Sequence, residues 1–115
     1  MLVADDHELV RGAIVGYLRQ RFDVCGEAGN GVEAAEKTRD LRPDVVVLDI
    51  SMPVLNGLDS ARLIRNFCPA TKIIVLSMHD SPLFIDLSTS AGADVFVSKH
   101  DSVAKLAKTI ERLSA

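Results

Sequence analysis

The chain predicts an α/β fold, a doubly wound five-stranded parallel sheet with five helices on its two faces. Two observations lead there. Apolar runs of β-prone residues alternate with segments of helical periodicity five times over, without a linker, repeat or low-complexity stretch between them. The run Val45-Val46-Val47-Leu48 is apolar at consecutive rather than alternate positions, as a strand buried on both faces of a parallel sheet requires. Five units are too few to close an eight-fold barrel, so the sheet stays open with right-handed crossovers.

Leu2-Val3-Ala4 makes a short first strand, closed by Asp5-Asp6, and its brevity leaves open whether residues precede Met1 in the natural protein. Leu9, Val10, Ala13, Ile14, Tyr17 and Leu18 recur at helical spacing and define a first helix from about Glu8 to Gln20. Phe22 to Ala28 reads as a less regular second strand. Asn30 with Glu33 three residues on resembles a capping box, opening a helix that runs to about Leu41, and Pro43 enforces its end.

After the third strand, Val45 to Leu48, Gly57 to about Phe67 forms the third helix, stopped by Pro69. Lys72-Ile73-Ile74-Val75-Leu76 is the fourth strand, closed by Ser77. Ser81-Pro82 opens a fourth helix and Gly92 ends it. Val95-Phe96-Val97 is the fifth strand. Asp101-Ser102 caps the fifth helix, where Val103, Leu106, Ala107, Ile110 and Leu113 form one apolar stripe suited to lying on a sheet.

At 115 residues and 48% hydrophobic content, the chain holds one domain with an ordinary core and no room for a second. A formal net charge of −3 argues against this segment gripping duplex nucleic acid, which normally rests on a basic stripe. Cys25 in a predicted strand and Cys68 in a predicted turn have neither a disulfide framework nor a zinc pattern around them, so both read as idle thiols of a reducing compartment. No apolar run approaches the ~20 residues of a membrane span. No charged-then-apolar leader opens the chain either, and a cytoplasmic protein that does not cross a membrane is expected.

The chemistry gathers at the carboxyl ends of the strands, where open α/β sheets bind their ligands. Asp49 closes the third strand and Asp5-Asp6 closes the first, so three carboxylates converge on one pocket. Their mutual repulsion calls for a cation, and hard oxygen ligands suit Mg²⁺ or Mn²⁺. Ser77 and Lys99 emerge at the ends of the fourth and fifth strands. A hydroxyl, an ammonium and a divalent cation around a carboxylate are what a phosphoryl group needs, since its charge spreads over three oxygens. The site reads as one where Asp49 accepts phosphate.

These residues carry a family resemblance. Ala4-Asp5-Asp6-His7, Arg42-Pro43-Asp44-Val45-Val46-Val47-Leu48-Asp49, Met52-Pro53 with Gly57, Leu76-Ser77-Met78-His79, Ala91-Gly92-Ala93 and Lys99 stand in the order and spacing of a response-regulator receiver domain. The resemblance covers essentially the whole chain. The wording around Asp5, Asp49 and Ser77-Met78-His79, and a residue other than proline after Lys99, most resemble the NarL/FixJ type. It implies the strand order 2-1-3-4-5. It also implies a sensor histidine kinase as phosphodonor, a homodimer on phosphorylation, and a LuxR-like helix-turn-helix domain that makes the DNA contact. The chain stops just after the fifth helix, so that output domain is expected to lie outside residues 1–115 of the receiver.

The resemblance further assigns roles. Asp49 is the phosphoacceptor; Asp6 binds Mg²⁺ directly and Asp5 through water, with Asp49 and the backbone carbonyl of Ser51 completing the metal ligands. By residue type alone, either aspartate of the pair could instead cap the first helix. Lys99 pairs with phosphoryl oxygens and Ser77 swings toward them. Phe96 stands at the switch aromatic position without the hydroxyl of the usual tyrosine. Ser51 and His79 occupy positions that tune autodephosphorylation, although His79 equally fits an exposed loop histidine. Met78 narrows access to the pocket, and His7 and His100 receive no chemistry.

Three rivals compete. A phosphatase of the haloacid-dehalogenase kind carries a second aspartate two residues after its nucleophile, where this chain has Ser51, and needs a cap segment. A nucleotide-binding flavodoxin relative would need a glycine-rich loop after the first strand. The third is a stand-alone receiver that works by protein contact without phosphorylation. The expectation is therefore a phosphoacceptor that assists its own phosphorylation and dephosphorylation, rather than an enzyme.

Overall fold

The computed structural model describes residues 1–114. Its elements run β1 (Leu2–Ala4), α1 (Glu8–Leu18), β2 (Gly26–Ala28), α2 (Gly31–Leu41), β3 (Val45–Asp49), α3 (Gly57–Phe67), β4 (Lys72–Ser77), α4 (Pro82–Ser90), β5 (Val95–Ser98) and α5 (Val103–Ser114). All strand pairs are parallel and the order is β2-β1-β3-β4-β5, as the resemblance implies.

Each strand alternates its side chains between the two layers of the core, because successive residues of a strand point to opposite faces. Val46 and Leu48 of β3, with Ile73 and Val75 of β4, pack with Ala34 and Ala35 of α2 and Ala61 and Ile64 of α3. Val45, Val47, Ile74 and Leu76 face the other way, onto Ile14, Val15 and Leu18 of α1 and Leu106, Ala107 and Ile110 of α5. Helices α1 and α5 thus cover one face, and α2, α3 and, through half-buried Phe84, α4 the other.

The second strand is shorter than the expected Phe22 to Ala28. Its ladder begins at Gly26, opposite Leu2, the first residue of β1. The Cys25 N–H still donates to the Met1 carbonyl at 2.8 Å, while the Phe22 N–H closes the last turn of α1 on Leu18. Phe22 is thereby spent as a helix-terminal core residue, and α1 itself ends at Leu18 rather than Gln20.

The helix caps fall close to expectation. The Asn30 Oδ1 accepts the Glu33 N–H at 2.8 Å, but the Glu33 carboxylate reaches back to the Gly29 N–H, one residue before the reciprocal partner of a capping box. Arg42, directly before Pro43, adopts a left-handed conformation with φ 47° and ends α2. Gly92 follows α4 with φ 105°, a conformation that glycine adopts without cost. Neither acidic residue caps α1. His7 does so instead, its Nδ1 accepting the Val10 N–H at 3.3 Å.

Candidate functional site

The registers place the site. Ala4 pairs with Leu48, Asp49 with Leu76, and Ser77 with Ser98, so the ends of β1, β3, β4 and β5 finish level at one rim of the sheet. There Asp5, Asp6 and Asp49 each offer a carboxylate oxygen, all within 4.8 Å of one another. Asp5 and Asp49 are buried, and Asp6 is exposed. Three carboxylates at this separation, one open to solvent, fit the hard-oxygen donor set of Mg²⁺ or Mn²⁺. Receiver domains bind Mg²⁺ through such an acidic cluster.

Lys99 answers the charge. Its backbone N–H donates to the Ser77 carbonyl at 2.8 Å, anchoring the turn beyond β5, and its ammonium stands 2.9 Å from Asp5 Oδ2 and 3.2 Å from Asp49 Oδ2. Asp49 Oδ1 accepts the Ser51 N–H at 3.3 Å. Burial pushes the Asp49 carboxyl above the usual range; the Asp5 charge adds to this, while Lys99 and the Ser51 N–H oppose it without prevailing. Burial alone would lower the Lys99 pKa. The hydrogen bond to Asp5 and the charges of Asp49 and Asp5 more than offset it, so the ammonium is held above its ordinary value.

The remaining candidates gather around this centre. Ser77 is fully buried and its Oγ accepts the His79 N–H at 2.9 Å. His79 is exposed and its ring stacks on Phe84 of α4, with centroids 5.0 Å apart, so it joins the loop after β4 to α4. Phe96 is half-buried on the sheet face shared with α3 and α4, and its register partner is Val75, two residues before Ser77. Ser77 and Phe96 thus lie on one face. Ser51 and exposed Met78 line the same cavity as Asp5, Asp6, Asp49 and Lys99. That cavity, about 580 Å³, runs from the acidic cluster between α1 and α5 past Val10, Ala13 and Leu106.

The loop between Asp49 and α3 is tightly held. Asn56 caps α3 through the Asp59 N–H at 2.9 Å, and the Gly57 N–H donates to the Ile50 carbonyl at 3.1 Å. A Cβ on Gly57 would stand 2.3 Å from the Asp49 carbonyl oxygen, so only glycine lets the helix begin this close to β3. Exposed Val54 has φ 69°, a strained conformation for a β-branched residue, and the Leu55 N–H closes a turn on the Pro53 carbonyl at 2.8 Å across it.

Two participants were missed by the sequence reading. His7 entered it without a role and proves to be a helix cap. Arg11, absent from it altogether, donates to the Asp5 backbone carbonyl at 2.8 Å and to Glu27 at 3.1 Å. Its position four residues after His7 signals a shared helix face, but nothing in the sequence names its long-range partners.

Comparison with known proteins places this arrangement in a family. Residues 1–111 match the response regulator receiver domain, and the chain belongs to that family, whose members are phosphoacceptors of two-component systems. It is 33% identical to the transcriptional regulatory protein LnrK of Bacillus subtilis over 96% of this chain and 51% of that protein. It is also 33% identical to the chemotaxis protein CheY of Thermotoga maritima, over 99% of this chain and 96% of that one. The signal receiver domain of the response regulator NarL from Mycobacterium tuberculosis superposes with a TM-score of 0.93 at 30% identity, covering 99% of this chain and 94% of that domain. These likenesses agree with the NarL/FixJ type. The chain spans about half the length of most curated relatives it matches, such as 51% of LnrK and 54% of a second regulator, MctR. Among the described residues no helix is long and apolar enough to cross a membrane.

Proposed function

We propose that Asp49 takes a phosphoryl group from a phosphohistidine on a sensor histidine kinase. The observation that carries this reading is the meeting of Asp5, Asp6 and Asp49 around a lysine shared by two of them. An Asp49 carboxylate oxygen attacks phosphorus and forms the new P–O bond. The P–N bond to the kinase imidazole breaks, its electron pair returns to the ring nitrogen, which takes up a proton, and an acyl phosphate remains on Asp49.

Asp5, Asp6 and Asp49, with the backbone carbonyl of Ser51, would hold Mg²⁺ or Mn²⁺, and that ion when bound neutralises charge on the transferring phosphoryl group. Lys99 shifts from the two carboxylates toward the phosphoryl oxygens as a point charge. Ser77 releases the His79 N–H and donates its hydroxyl to the same oxygens, drawing the loop before α4 inward. Ser51 and His79 border the path of attacking water and tune the lifetime of the phosphoryl group. The chain assists its own phosphorylation and dephosphorylation and turns over no further substrate.

The element that responds is α4. Ser88 is its one fully buried residue among those described, while Leu83, Ile85 and Leu87 are exposed, so little apolar contact holds the helix in one place. Phe96 packs beside it and couples to Ser77 through the shared face of the sheet. A tenfold change in output needs only about 1.4 kcal/mol of differential stabilisation. The output is homodimerisation in the cytoplasm and control of transcription through a helix-turn-helix domain outside residues 1–115, the receiver domain; the name of LnrK and the half-length match support it. A second reading is a stand-alone or phosphorylation-independent receiver acting by protein contact; the match along 96% of a chemotaxis protein supports its stand-alone form.

Intact mass after incubation with a small acyl-phosphate donor tests the first reading. One added phosphoryl group that requires both Mg²⁺ and Asp49 is expected, with none on Asp49→Asn. Absence of any adduct, from this donor and from candidate kinases alike, would leave the second reading. Partner binding that is unchanged in Asp49→Ala would then support it.

A further inference from the structure

We propose that Arg11 is a positioning residue for the acidic pair Asp5-Asp6, setting the affinity of the site for Mg²⁺. The inference rests on the Mg²⁺-dependent reading given above. Arg11 lies on α1 and is half-buried. Its Nη1 donates to the backbone carbonyl of Asp5 at 2.8 Å, and its Nε donates to Glu27 Oε1 at 3.1 Å. Glu27 belongs to β2, and its own backbone carbonyl accepts the Lys37 ammonium from α2 at 2.6 Å. The guanidinium therefore ties the turn after β1 to two neighbouring elements.

What it grips matters. The Asp5 carbonyl and the Asp6 N–H share one rigid peptide plane, so fixing that carbonyl fixes the direction in which Asp6 leaves the backbone. The Asp5 side chain is held separately, by the His7 N–H at 2.9 Å and by Lys99. Among the described residues no hydrogen bond reaches the Asp6 carboxylate, which depends on its own backbone for placement. The planar fork of arginine suits this task, holding a carbonyl and a carboxylate at a fixed angle where a lysine offers one ammonium on a flexible stem. Loss of the groups that orient a metal ligand typically weakens metal binding about tenfold or more.

The test titrates Mg²⁺ alone into the purified 115-residue chain by calorimetry, in wild type, Arg11→Ala, Arg11→Lys, Glu27→Gln and Asp6→Asn. Arg11→Ala is expected to raise the Mg²⁺ Kd about tenfold. Arg11→Lys and Glu27→Gln should fall between it and wild type. Phosphorylation of each variant should recover as Mg²⁺ is raised. Unfolding midpoints without metal identify variants that are folded, and if Arg11→Ala fails to fold, the two milder variants carry the test. A folded variant series with wild-type Mg²⁺ affinity overturns the inference and leaves the site reading intact, even if stability has dropped. A wild-type chain with no Mg²⁺ affinity, or with affinity undiminished by Asp6→Asn, overturns both.

Discussion

Lys99 Nζ stands 3.2 Å from the Asp49 carboxylate but only partly neutralises it, because Asp5 holds the same ammonium at 2.9 Å. Burial raises the Asp49 pKa in the fold, the neighbouring Asp5 charge adds to the rise, and one cation shared by two buried anions does not offset it. The folded protein therefore keeps the Asp49 proton at pH values where the unfolded chain has lost it. Stability without metal falls as pH climbs from the ordinary aspartate pKa of about 3.9 through the raised folded value, and then levels. Asp49→Asn lacks this loss and leaves Lys99 paired with Asp5. Its melting temperature should exceed that of wild type above that window and converge with it below, each kcal/mol showing as about 4 °C or more. Equal melting temperatures at both ends of the range would contradict the assignment.

Removing Lys99 has the opposite sign. Lys99→Ala leaves Asp5 and Asp49 buried and facing each other without a counter-charge, a loss of about 3 kcal/mol in urea unfolding of the metal-free protein. Millimolar Mg²⁺ should return part of it, since an ion that binds only the folded state stabilises by about 2.7 kcal/mol at one hundred times its Kd. A variant as stable as wild type without metal would show that the bridge contributes nothing.

Gly57→Ala tests the close approach of α3 to β3. The added methyl would stand 2.3 Å from the Asp49 carbonyl oxygen and 2.8 Å from the Ile50 Cα, both backbone atoms that cannot turn aside. A loss of roughly 1–3 kcal/mol or more is expected. Because the displaced carbonyl belongs to Asp49, slower phosphoryl uptake by the folded fraction should accompany it in a mass time course.

Arg65 ties the end of α3 to the turn before β5, donating to the carbonyls of Gly92, Pro69 and Thr71 and to Asp94 Oδ2 at 2.7 Å. Asp94 Oδ2 in turn accepts the Ile73 N–H at 2.8 Å. Arg65→Ala should cost about 2 kcal/mol, the order of one charge-assisted hydrogen-bond set. Arg65→Lys should regain little, for one ammonium cannot span four acceptors. Chemical denaturation of the two variants distinguishes this from ordinary surface truncation, which moves stability by no more than about 0.5 kcal/mol.

Much of this molecule was legible because its signals are local. The consecutive apolar run ending at Asp49 identified a doubly covered strand, and Asn30 and Pro82 stand at helix starts as expected. The strand order needed the family resemblance, since periodicity does not say which strands are neighbours. Phe22 to Cys25 misled because their apolar content, Phe22 and Val24 above all, serves the core whether or not a ladder forms. The site was readable as a set of strand-end residues, but His7 as a cap and Arg11 as a tether act through backbone groups. A carbonyl acceptor leaves no mark on the sequence of its partner.

The shared lysine also ties the chemistry to the order in which a chain is made. Asp5 and Lys99 meet across a separation of 94 residues, and Lys99 follows the last strand to join the sheet. A ribosome-bound chain whose fifth strand has not yet emerged, or one clipped before it, carries its aspartates without their ammonium and without the Ser77 carbonyl anchor that sets the turn. Such an unfinished molecule cannot assemble the completed pocket. The pocket is thereby closed to any chemistry until synthesis of the domain is all but complete.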